Sequence, residues 1–227
     1  MLGRSVEIRE IRPTEFEAVG ELCVSAYLAG GVVTDHDQYL PTLRDVAARA
    51  GDDSAQVLVA TTAGRIVGTV TYCPFGSPLT QICRNGEFEF RFLAVAVGQQ
   101  GNGLATTLID ACENLARATG LTTSIACVTD TNTGAAALYQ KLGFVHVPER
   151  DWHPMEGVTL ETYERPIATE YCGRCGAILS SGDHQACEAA LKLEPPRYCE
   201  VCRRRMIVQI TPTGWKARCK QHGEITG

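Results

Sequence analysis

An alternation of apolar and charged residues near the start of the chain predicts a strand. In the segment VEIREI, residues 6–11, apolar residues alternate with charged ones, which is typical of a half-exposed strand. Pro13 then begins a helical stretch with acidic residues in its first turns, where the helix dipole favours negative charge. Strand and helix patterns go on alternating as far as residue 165. They predict strands on either side of a turn at 63–64 and at 87–97, 121–128, 144–147 and 158–165, and helices at 35–50, 99–120 and 132–143.

The pattern changes after Pro166, where short apolar runs alternate with cysteines. We therefore predict two domains, residues 1–165 and 166–227. Charge divides at nearly the same place, because residues 1–164 carry a net charge of −9 and residues 165–227 carry +4, against −5 for the whole chain. The acidic first domain gives limited support for a cationic substrate, since charge affects encounter more than chemistry. Alternating strands and helices assign this domain to the α/β (α+β) class.

Composition indicates a globular protein of a reducing compartment. The hydrophobic fraction is 44%, no run of about 18 residues is apolar enough for a membrane span, and the first residues, MLGRSVEIREIRP, lack the apolar core of a secretory signal. We expect buried free thiols beside a metal-binding cluster, and hence a cytoplasmic protein. Five of the eleven cysteines lie in apolar segments of the first domain: Cys23, Cys73, Cys83, Cys112 and Cys127.

A glycine-rich turn in the first domain predicts a phosphate site. The segment Gln100-Gly101-Asn102-Gly103-Leu104-Ala105 follows a strand and begins a helix. Free backbone N–H groups at a helix N-terminus can bind a pyrophosphate, and glycines let the ligand approach closely. A dinucleotide fingerprint is disfavoured, because the spacing is not G-x-G-x-x-G and the turn lies in the middle of the domain. A simple strand-to-helix connection is the alternative.

Here the chain resembles the GNAT superfamily of acyl-CoA-dependent N-acyltransferases. The turn matches the motif Gln/Arg-x-x-Gly-x-Gly/Ala of that superfamily, and the segment from Asn132 to Phe144 matches its N-x6-Y-x3-GF signature. The resemblance covers nearly all of residues 5–164. It implies a mixed sheet of about six or seven strands flanked by helices, and an acyl-CoA cosubstrate, with acetyl-CoA as the default donor.

The resemblance also implies roles for particular residues. Tyr139 would protonate the departing thiolate, and a phenol with a pKa of about 10 is reasonably matched to that task. Its alternative role is aromatic packing beside Phe144. The backbone amides of 101–106 would hold the pyrophosphate, and 93–95 would align the pantetheine. The implied cofactor-binding residues are Leu93, Ala94, Val95, Gln100, Gly101, Asn102, Gly103, Leu104, Ala105, Thr106 and Asn132.

A carboxylate on the strand at 87–97 is the candidate general base. Strand periodicity assigns Glu87, Glu89 and Arg91 to one face, and three phenylalanines (Phe88, Phe90, Phe92) to the other. Glu89 best matches the position of a strand-borne base in the superfamily. A surface Glu–Arg pair and a water relay are the alternatives. His146 and His153 are predicted to be structural.

Four pairs of metal-ligand residues, each with two residues between its members, dominate the second domain. They provide enough ligands for two tetrahedral sites, with zinc or an iron–sulfur cluster as the candidate occupant. Consecutive pairs would form each site, and interleaved pairing is the alternative that the sequence leaves open. The eight candidate ligands are Cys172, Cys175, His184, Cys187, Cys199, Cys202, Cys219 and His222.

The second domain resembles the actinobacterial biotin synthase auxiliary proteins. The resemblance rests chiefly on the stretch EPPRYC-x2-C-x-RRM-x-VQ-x-TP-x-GW-x-ARC-x2-HG, which also has the plan of a zinc-ribbon hairpin between two ligand pairs. It implies a module that supports biotin synthase, an iron–sulfur enzyme. The short basic run at 203–205 is a weak nucleic-acid feature in an acidic chain, so a protein partner is favoured.

Together these features predict an acyl-CoA-dependent N-acyltransferase whose metal-binding module docks a partner, with biotin synthase as the candidate. The acceptor would be an amine, on a small molecule or on a protein. The alternative is a non-catalytic CoA-binding scaffold or sensor whose metal module acts in iron–sulfur cluster delivery or repair.

Overall fold

The computed structural model describes residues 6–168, 170–179 and 181–227. They form two compact units: residues up to Glu113 together with Thr123–Pro166, and residues Asn114–Thr122 together with Ile167–Gly227. Among the residues described, none of the helices combines the length and the apolar character needed to cross a bilayer.

The first unit contains one mixed sheet. Seven strands follow the order β1-β2-β3-β4-β5-β8-β6, and β7 also pairs with β8. Neighbouring strands are antiparallel except for β4 and β5, which are parallel. The predicted mixed sheet flanked by helices is therefore confirmed. The strands are β1 (Val6–Glu10), β2 (Gln56–Thr62), β3 (Arg65–Pro74), β4 (Glu87–Val95), β5 (Thr123–Thr129), β6 (Val145–His146), β7 (Trp152–Met155) and β8 (Val158–Pro166).

Five α-helices accompany these strands, and two short 3-10 turns lie at Pro13–Glu15 and Pro148–Arg150. The single helix predicted at 35–50 is wrong, because Asp45 leaves the helical conformation and separates two short helices. The Asp45 carboxylate accepts a hydrogen bond of 3.0 Å from the Ala48 amide and so begins a new helix instead of continuing the old one. The helices are α1 (Phe16–Ala29), α2 (Leu40–Arg44), α3 (Val46–Ala50), α4 (Leu104–Thr119) and α5 (Thr133–Lys141).

Helices α1 to α3 pack on one face of the sheet, where Cys23, Leu43 and Val46 meet Val59 and Phe92. The predicted burial of free thiols is right for Cys23, Cys73 and Cys112, but Cys83 and Cys127 are only half-buried. Loss of water around Cys23 raises the pKa of its thiol to about 11.

Strand β4 contains a bulge beside the cleft of the sheet. Thr71 of β3 pairs with Arg91, but Thr69 pairs with Ala94, so Phe92 and Leu93 together oppose a single residue of β3. Phe92 has a φ of 53°, which is unusual for a bulky residue. Beyond this point the alternation of side chains along β4 is reset.

Strands β4 and β5 separate just before the bulge. Their parallel pairing runs only from Glu87–Thr123 to Glu89–Ile125, whereas β5 stays paired with β8 as far as Thr129. On its β5 side, the rest of β4 therefore presents peptide groups without a strand partner. Such an edge can accept an extended ligand that hydrogen-bonds like a strand.

The second unit contains a three-stranded antiparallel sheet in the order β11-β10-β9. Its elements are α6 (Gln185–Leu191), β9 (Ile207–Thr211), β10 (Gly214–Cys219) and β11 (Gly223–Thr226). The sheet has little core of its own, because β9 and β11 are almost fully exposed and Ala217 and Cys219 of β10 are its buried side chains.

Candidate functional site

A cleft of about 910 Å³ opens between the separated strands of the first unit. It contains all but one of the residues predicted to bind the cofactor or catalyse transfer. Asn102 is the exception, and its side-chain amide instead donates to the Gln99 carbonyl oxygen at 3.2 Å. The predicted residues that line the cleft are Glu89, Leu93, Ala94, Val95, Gln100, Gly101, Gly103, Leu104, Ala105, Thr106, Asn132 and Tyr139.

The glycine-rich turn supplies free amides at one wall of the cleft. Gly101 and Gly103 both have a φ of 79°, a left-handed conformation that glycine adopts without strain. The first backbone bond of the helical stretch runs from the Thr107 amide to the Gly103 carbonyl oxygen at 3.0 Å. The amides before Thr107 are thus the orphan donors of a helix N-terminus, and donors of this kind suit a phosphate group.

Tyr139 combines aromatic packing with access to the cleft. Its ring lies 5.6 Å from that of Phe90, 5.7 Å from Phe144 and 6.0 Å from Tyr163, measured between centroids. The ring of Tyr139 is therefore packed against other aromatic rings, as the alternative role predicts. The same residue also lines the cleft. Loss of water raises the pKa of Tyr139 above its usual value, so the hydroxyl remains a proton donor at neutral pH.

Asn132 lies at the N-cap of α5, where its side-chain oxygen accepts a 3.1 Å bond from the Ala135 amide. This bond leaves the NH2 group of Asn132 as the part that could reach a ligand, since the oxygen is engaged. The cap also fixes the start of the helix that carries Tyr139.

Glu89 is a buried carboxylate at the cleft, with a side chain only 1% exposed, so the Glu–Arg pair of the alternative is present but does not lie at the surface. Its oxygen accepts a 2.9 Å bond from the Gln81 amide, and the Arg91 guanidinium lies 3.5 Å away. Burial raises the pKa of Glu89, while Arg91 and the amides of Gln81 and Ile82 oppose that rise. A carboxylate of this kind is a better proton acceptor than an exposed one.

Sequence periodicity is wrong about Phe92. It assigns Phe90 and Phe92 to one face, but Phe90 contacts Tyr139 and Phe144, whereas Phe92 packs in the core formed with α1, α2 and α3. The bulge is the physical reason, because it inserts one residue into the alternation of β4.

Other residues that line the cleft carry no recognisable motif, although the length of the loop from Pro74 to Gly86, which contains Gln81, predicts that this loop borders a substrate opening. They come from α1, from the segment after it and from the far wall of the cleft; they include Tyr27, Asp37, Tyr39, Gln81, Arg91, Cys127, Lys141 and Met155. Neither of the two histidines predicted to be structural lines the cleft. His146 pairs with Asp151 at 3.0 Å, and Nδ1 of His153 lies 3.3 Å from the Thr159 hydroxyl.

In the second unit, the eight candidate ligands form two groups of four. One group consists of residues 172, 175, 184 and 187, and the other of residues 199, 202, 219 and 222. Within each group the ligand atoms all lie within 4.8 Å of one another. The fold thus brings together consecutive pairs rather than interleaved ones.

Individual distances in the two groups are short and similar. Cys175 Sγ lies 3.7 Å from His184 Nδ1, and Cys202 Sγ lies 3.6 Å from Cys219 Sγ. His222 Nδ1 lies 3.7 Å from the sulfur of Cys219 and 3.5 Å from that of Cys199. The Nε2 atom of His184 lies 3.3 Å from the Ile178 carbonyl oxygen, the kind of contact that orients a metal-binding imidazole.

The two Cys-x2-Cys turns have the same backbone geometry. In each turn the residue after the second cysteine has a positive φ, 73° at Gly176 and 61° at Arg203. Its amide donates a 2.9 Å bond to the carbonyl of the first cysteine, Cys172 or Cys199. Near the end of the chain, the amides of Gln221 and His222 lower the pKa of the Cys219 thiol to about 6. Amides directed at sulfur favour the thiolate, which is the form that binds metals.

The splayed sheet, the turn of free amides and the tyrosine at the cleft define the first unit as an N-acetyltransferase. The chain belongs to the acetyltransferase (GNAT) family, whose profile matches residues 10–144. The profile of the biotin synthase auxiliary protein family matches residues 206–227, which contain the whole three-stranded sheet.

Solved acetyltransferases share the fold at low sequence identity. A GNAT-family acetyltransferase from Staphylococcus aureus has a TM-score of 0.57 and 15% identity, over 71% of this chain and 99% of the other. A PaiA N-acetyltransferase from Thermoplasma acidophilum, solved with coenzyme A, has a TM-score of 0.57 and 15% identity, over 72% and 99%. A ribosomal-protein-alanine N-acetyltransferase from Brucella melitensis has a TM-score of 0.53 and 20% identity, over 71% and 99%.

Curated relatives match a short segment of this chain at higher identity. The biotin synthase auxiliary protein of Mycobacterium leprae is 57% identical over 37 residues, which are 16% of this chain and 46% of the relative. That of Mycolicibacterium smegmatis is 60% identical over 37 residues, 16% and 47% respectively. The chain therefore spans about half the length of the curated relatives that it matches.

Proposed function

We propose that residues 1–165 transfer an acetyl group from acetyl-CoA to an amine, and that residues 166–227 form a separate metal-binding domain. The observation that carries the first part is the meeting of four features in one cleft: the free amides at 101–106, the unpaired edge of β4, Tyr139 and Glu89. A solved relative of this fold contains coenzyme A, which agrees with such a cosubstrate.

In the proposed reaction the amine attacks the thioester carbonyl directly. A carbon–nitrogen bond forms, the carbon–sulfur bond breaks, and the electron pair of that bond leaves with the CoA sulfur. Glu89 accepts the proton that the amine loses, and the Tyr139 hydroxyl donates a proton to the thiolate. The amides of Gly101 to Thr106 bind the pyrophosphate, Asn132 contacts the cofactor, and Leu93 to Val95 align the pantetheine along the strand edge.

The test is a turnover assay with the purified full chain, acetyl-CoA and a panel of small amines and amine-bearing peptides. Release of CoA thiol that depends on an amine supports the proposal. Binding of CoA without thiol release from any amine would instead favour the scaffold or sensor function.

Replacing Glu89 with glutamine should remove one limb of the pH profile. A general base acts when deprotonated, so kcat/KM rises with pH through its pKa, and burial shifts that rise to a higher pH than an ordinary carboxyl group would give. We expect E89Q to lower kcat/KM by about 10²-fold and to remove this limb, while the limb due to the amine itself remains. An unchanged profile would assign the base to a water relay.

We propose that each ligand group of the second unit binds one zinc ion. Ligands at about 2.3 Å (sulfur) and 2.0–2.1 Å (nitrogen) from a tetrahedral ion lie about 3.5–3.8 Å from one another. Four of the ligand separations, at 3.5–3.7 Å, agree with that geometry, and all the ligand atoms of each group lie within 4.8 Å of one another. An iron–sulfur cluster distributes its four protein ligands over two or four iron atoms, so ligand atoms bound to different irons lie farther apart than those around one ion. Bound zinc would hold together a sheet that lacks a core.

Metal analysis after anaerobic purification tests this proposal. We expect two zinc ions per chain and a colourless protein, since zinc has a filled d shell. Replacement by cobalt should give the strong visible bands of tetrahedral cobalt bound to thiolates. Iron with acid-labile sulfide and a brown colour would establish a cluster instead.

We propose biotin synthase as the partner of the second domain. The curated relatives bear the name of an auxiliary protein of that enzyme, and the segment shared with their family is an exposed sheet. Register places Val208, Ile210 and Ile225 on one face of this sheet, and they are 38%, 70% and 48% exposed. A contiguous exposed apolar face of this kind is typical of a docking surface. Failure of the full chain to bind biotin synthase or to stimulate biotin formation would contradict the proposal.

A further inference from the structure

The bulge residue Phe92 has a backbone conformation that its surroundings must maintain. Its φ of 53° is strained for a bulky side chain, and such conformations persist where packing leaves no alternative. The next residues, Leu93 to Val95, form the unpaired edge of β4 at the cleft. What holds Phe92 therefore also fixes the peptide groups proposed to align the cofactor.

Two guanidinium groups lie over the ring of Phe92. The central carbon of Arg49 lies 4.2 Å from the ring centroid and that of Arg91 lies 5.0 Å from it. Tyr39 stacks on the same ring, with a centroid distance of 6.3 Å and an interplanar angle of 12°. Contacts between a cation and an aromatic face strengthen when water is excluded, and Phe92 is buried.

Arg49 is an unusual member of this arrangement because it is a buried cation. Its residue is 3% exposed, and in the described part of the chain no Asp or Glu carboxylate lies within ion-pair distance of it. Two of its N–H groups donate to the carbonyls of Thr42 and Leu43, at 2.6 and 3.2 Å, and its Nε has no hydrogen-bond partner among the residues that the structure describes. Burying a charge without an ion-pair partner costs free energy. The face of the Phe92 ring offsets part of this cost, in addition to the two carbonyls.

We propose that Arg49 is a positioning residue for acyl-CoA binding. It joins the C-terminal end of α2 to the ring of Phe92, and thereby keeps the bulge in the one conformation that directs the edge of Leu93 to Val95 into the cleft. The inference rests on the proposed acetyl-CoA site. If Arg49 had a purely structural role, it would only donate hydrogen bonds to the carbonyls of α2. Its replacement would then lower the stability of the fold without changing the affinity for CoA.

The test compares CoA binding by the full chain and its variants, measured by calorimetry, with the KM for acetyl-CoA. We expect R49M, which keeps bulk but removes the charge, to weaken CoA binding and raise this KM by about 10-fold, with little change in kcat or in the KM for the amine. F92L should weaken CoA binding at least as much, because it also removes the contacts of the ring with Arg91 and Tyr39. The double variant R49M/F92L should be no worse than F92L alone, because F92L has already lost the contact with Arg49.

Val46→Ala is the matched control, since Val46 is buried in the same short helix and lies outside the cleft. It should lower the melting temperature while leaving the dissociation constant of CoA unchanged. If R49M does not fold, F92L carries the test, because it leaves Arg49 in place. Normal CoA binding by R49M or F92L, or additive losses in the double variant, would overturn the role of Arg49. Failure of the unmodified chain to bind CoA would overturn the proposed cofactor site as well.

Discussion

Replacing Tyr139 with phenylalanine is expected to lower the turnover of acetyl-CoA by about 10²–10⁴-fold, the range that a positioned general acid contributes. The ring keeps its contacts with Phe90 and Phe144, so the melting temperature and the KM for acetyl-CoA should change little. Because burial raises the pKa of Tyr139, the hydroxyl is protonated throughout the usual assay range, and the loss should be as large at pH 7 as at pH 9. Initial rates of thiol release across this range measure the effect.

Tyr163→Phe is the matched control for that experiment. It also removes a buried tyrosine hydroxyl, one that donates to Glu161 at 2.9 Å, but Tyr163 does not line the cleft. Turnover close to that of the unmodified chain is expected. If Y139F and Y163F have equal activity, the thiolate leaves without help from Tyr139, and the position of Tyr139 at the cleft reflects packing alone.

The second large effect is expected from Cys219→Ser. Structural zinc contributes roughly 10–16 kcal/mol of apparent binding free energy at pH 7, and most of it would be lost with one of four ligands. Since Ala217 and Cys219 are the buried side chains of the three-stranded sheet, we expect this sheet to unfold. Zinc content should fall from two ions per chain to one, and limited proteolysis should cut within residues 199–227. Acetyl-CoA turnover should persist, because every residue lining the cleft belongs to the first unit.

Two further cysteine variants separate ligand loss from the loss of any thiol. Cys83→Ser removes a half-buried thiol that belongs to neither ligand group, and it should retain two zinc ions and an intact sheet. Cys175→Ser removes a ligand from the other group, so it should lose one zinc ion while leaving residues 199–227 resistant to protease. Unchanged zinc content in both Cys219→Ser and Cys175→Ser would contradict two four-ligand sites.

The sequence predicted well those features that depend on local spacing. The glycines at 101 and 103 needed positive φ angles, and the turn that they form begins a helix as expected. The ligand pairs are equally local, since two intervening residues suffice to direct both side chains at one ion. The predicted single helix at 35–50 failed because the carboxylate of Asp45 caps a new helix, a competition that apolar periodicity does not register.

The sequence predicted less well those features that depend on contacts between distant segments of the chain. The alternation along β4 predicted which face of the strand carries Glu89. It did not predict that the Glu89 side chain is buried. The loop that supplies the amides of Gln81 and Ile82 to this carboxylate has no motif. Arg49 was not identifiable at all, since its contact with Phe92 joins residues 43 positions apart in the chain.

By itself, the sequence determined most of the strands and helices of the first domain, the glycine-rich turn that begins a helix, the helix that carries Tyr139 and eight candidate metal ligands in four pairs. Each of these depends on residues within a few positions of one another, where backbone geometry leaves little choice. The tertiary structure alone decided which ligand pairs meet, where β4 departs from β5, and that Phe92 turns away from Phe90. These outcomes depend on strand pairing and on packing between distant segments, and a bulge of one residue is enough to reverse the face to which a side chain points.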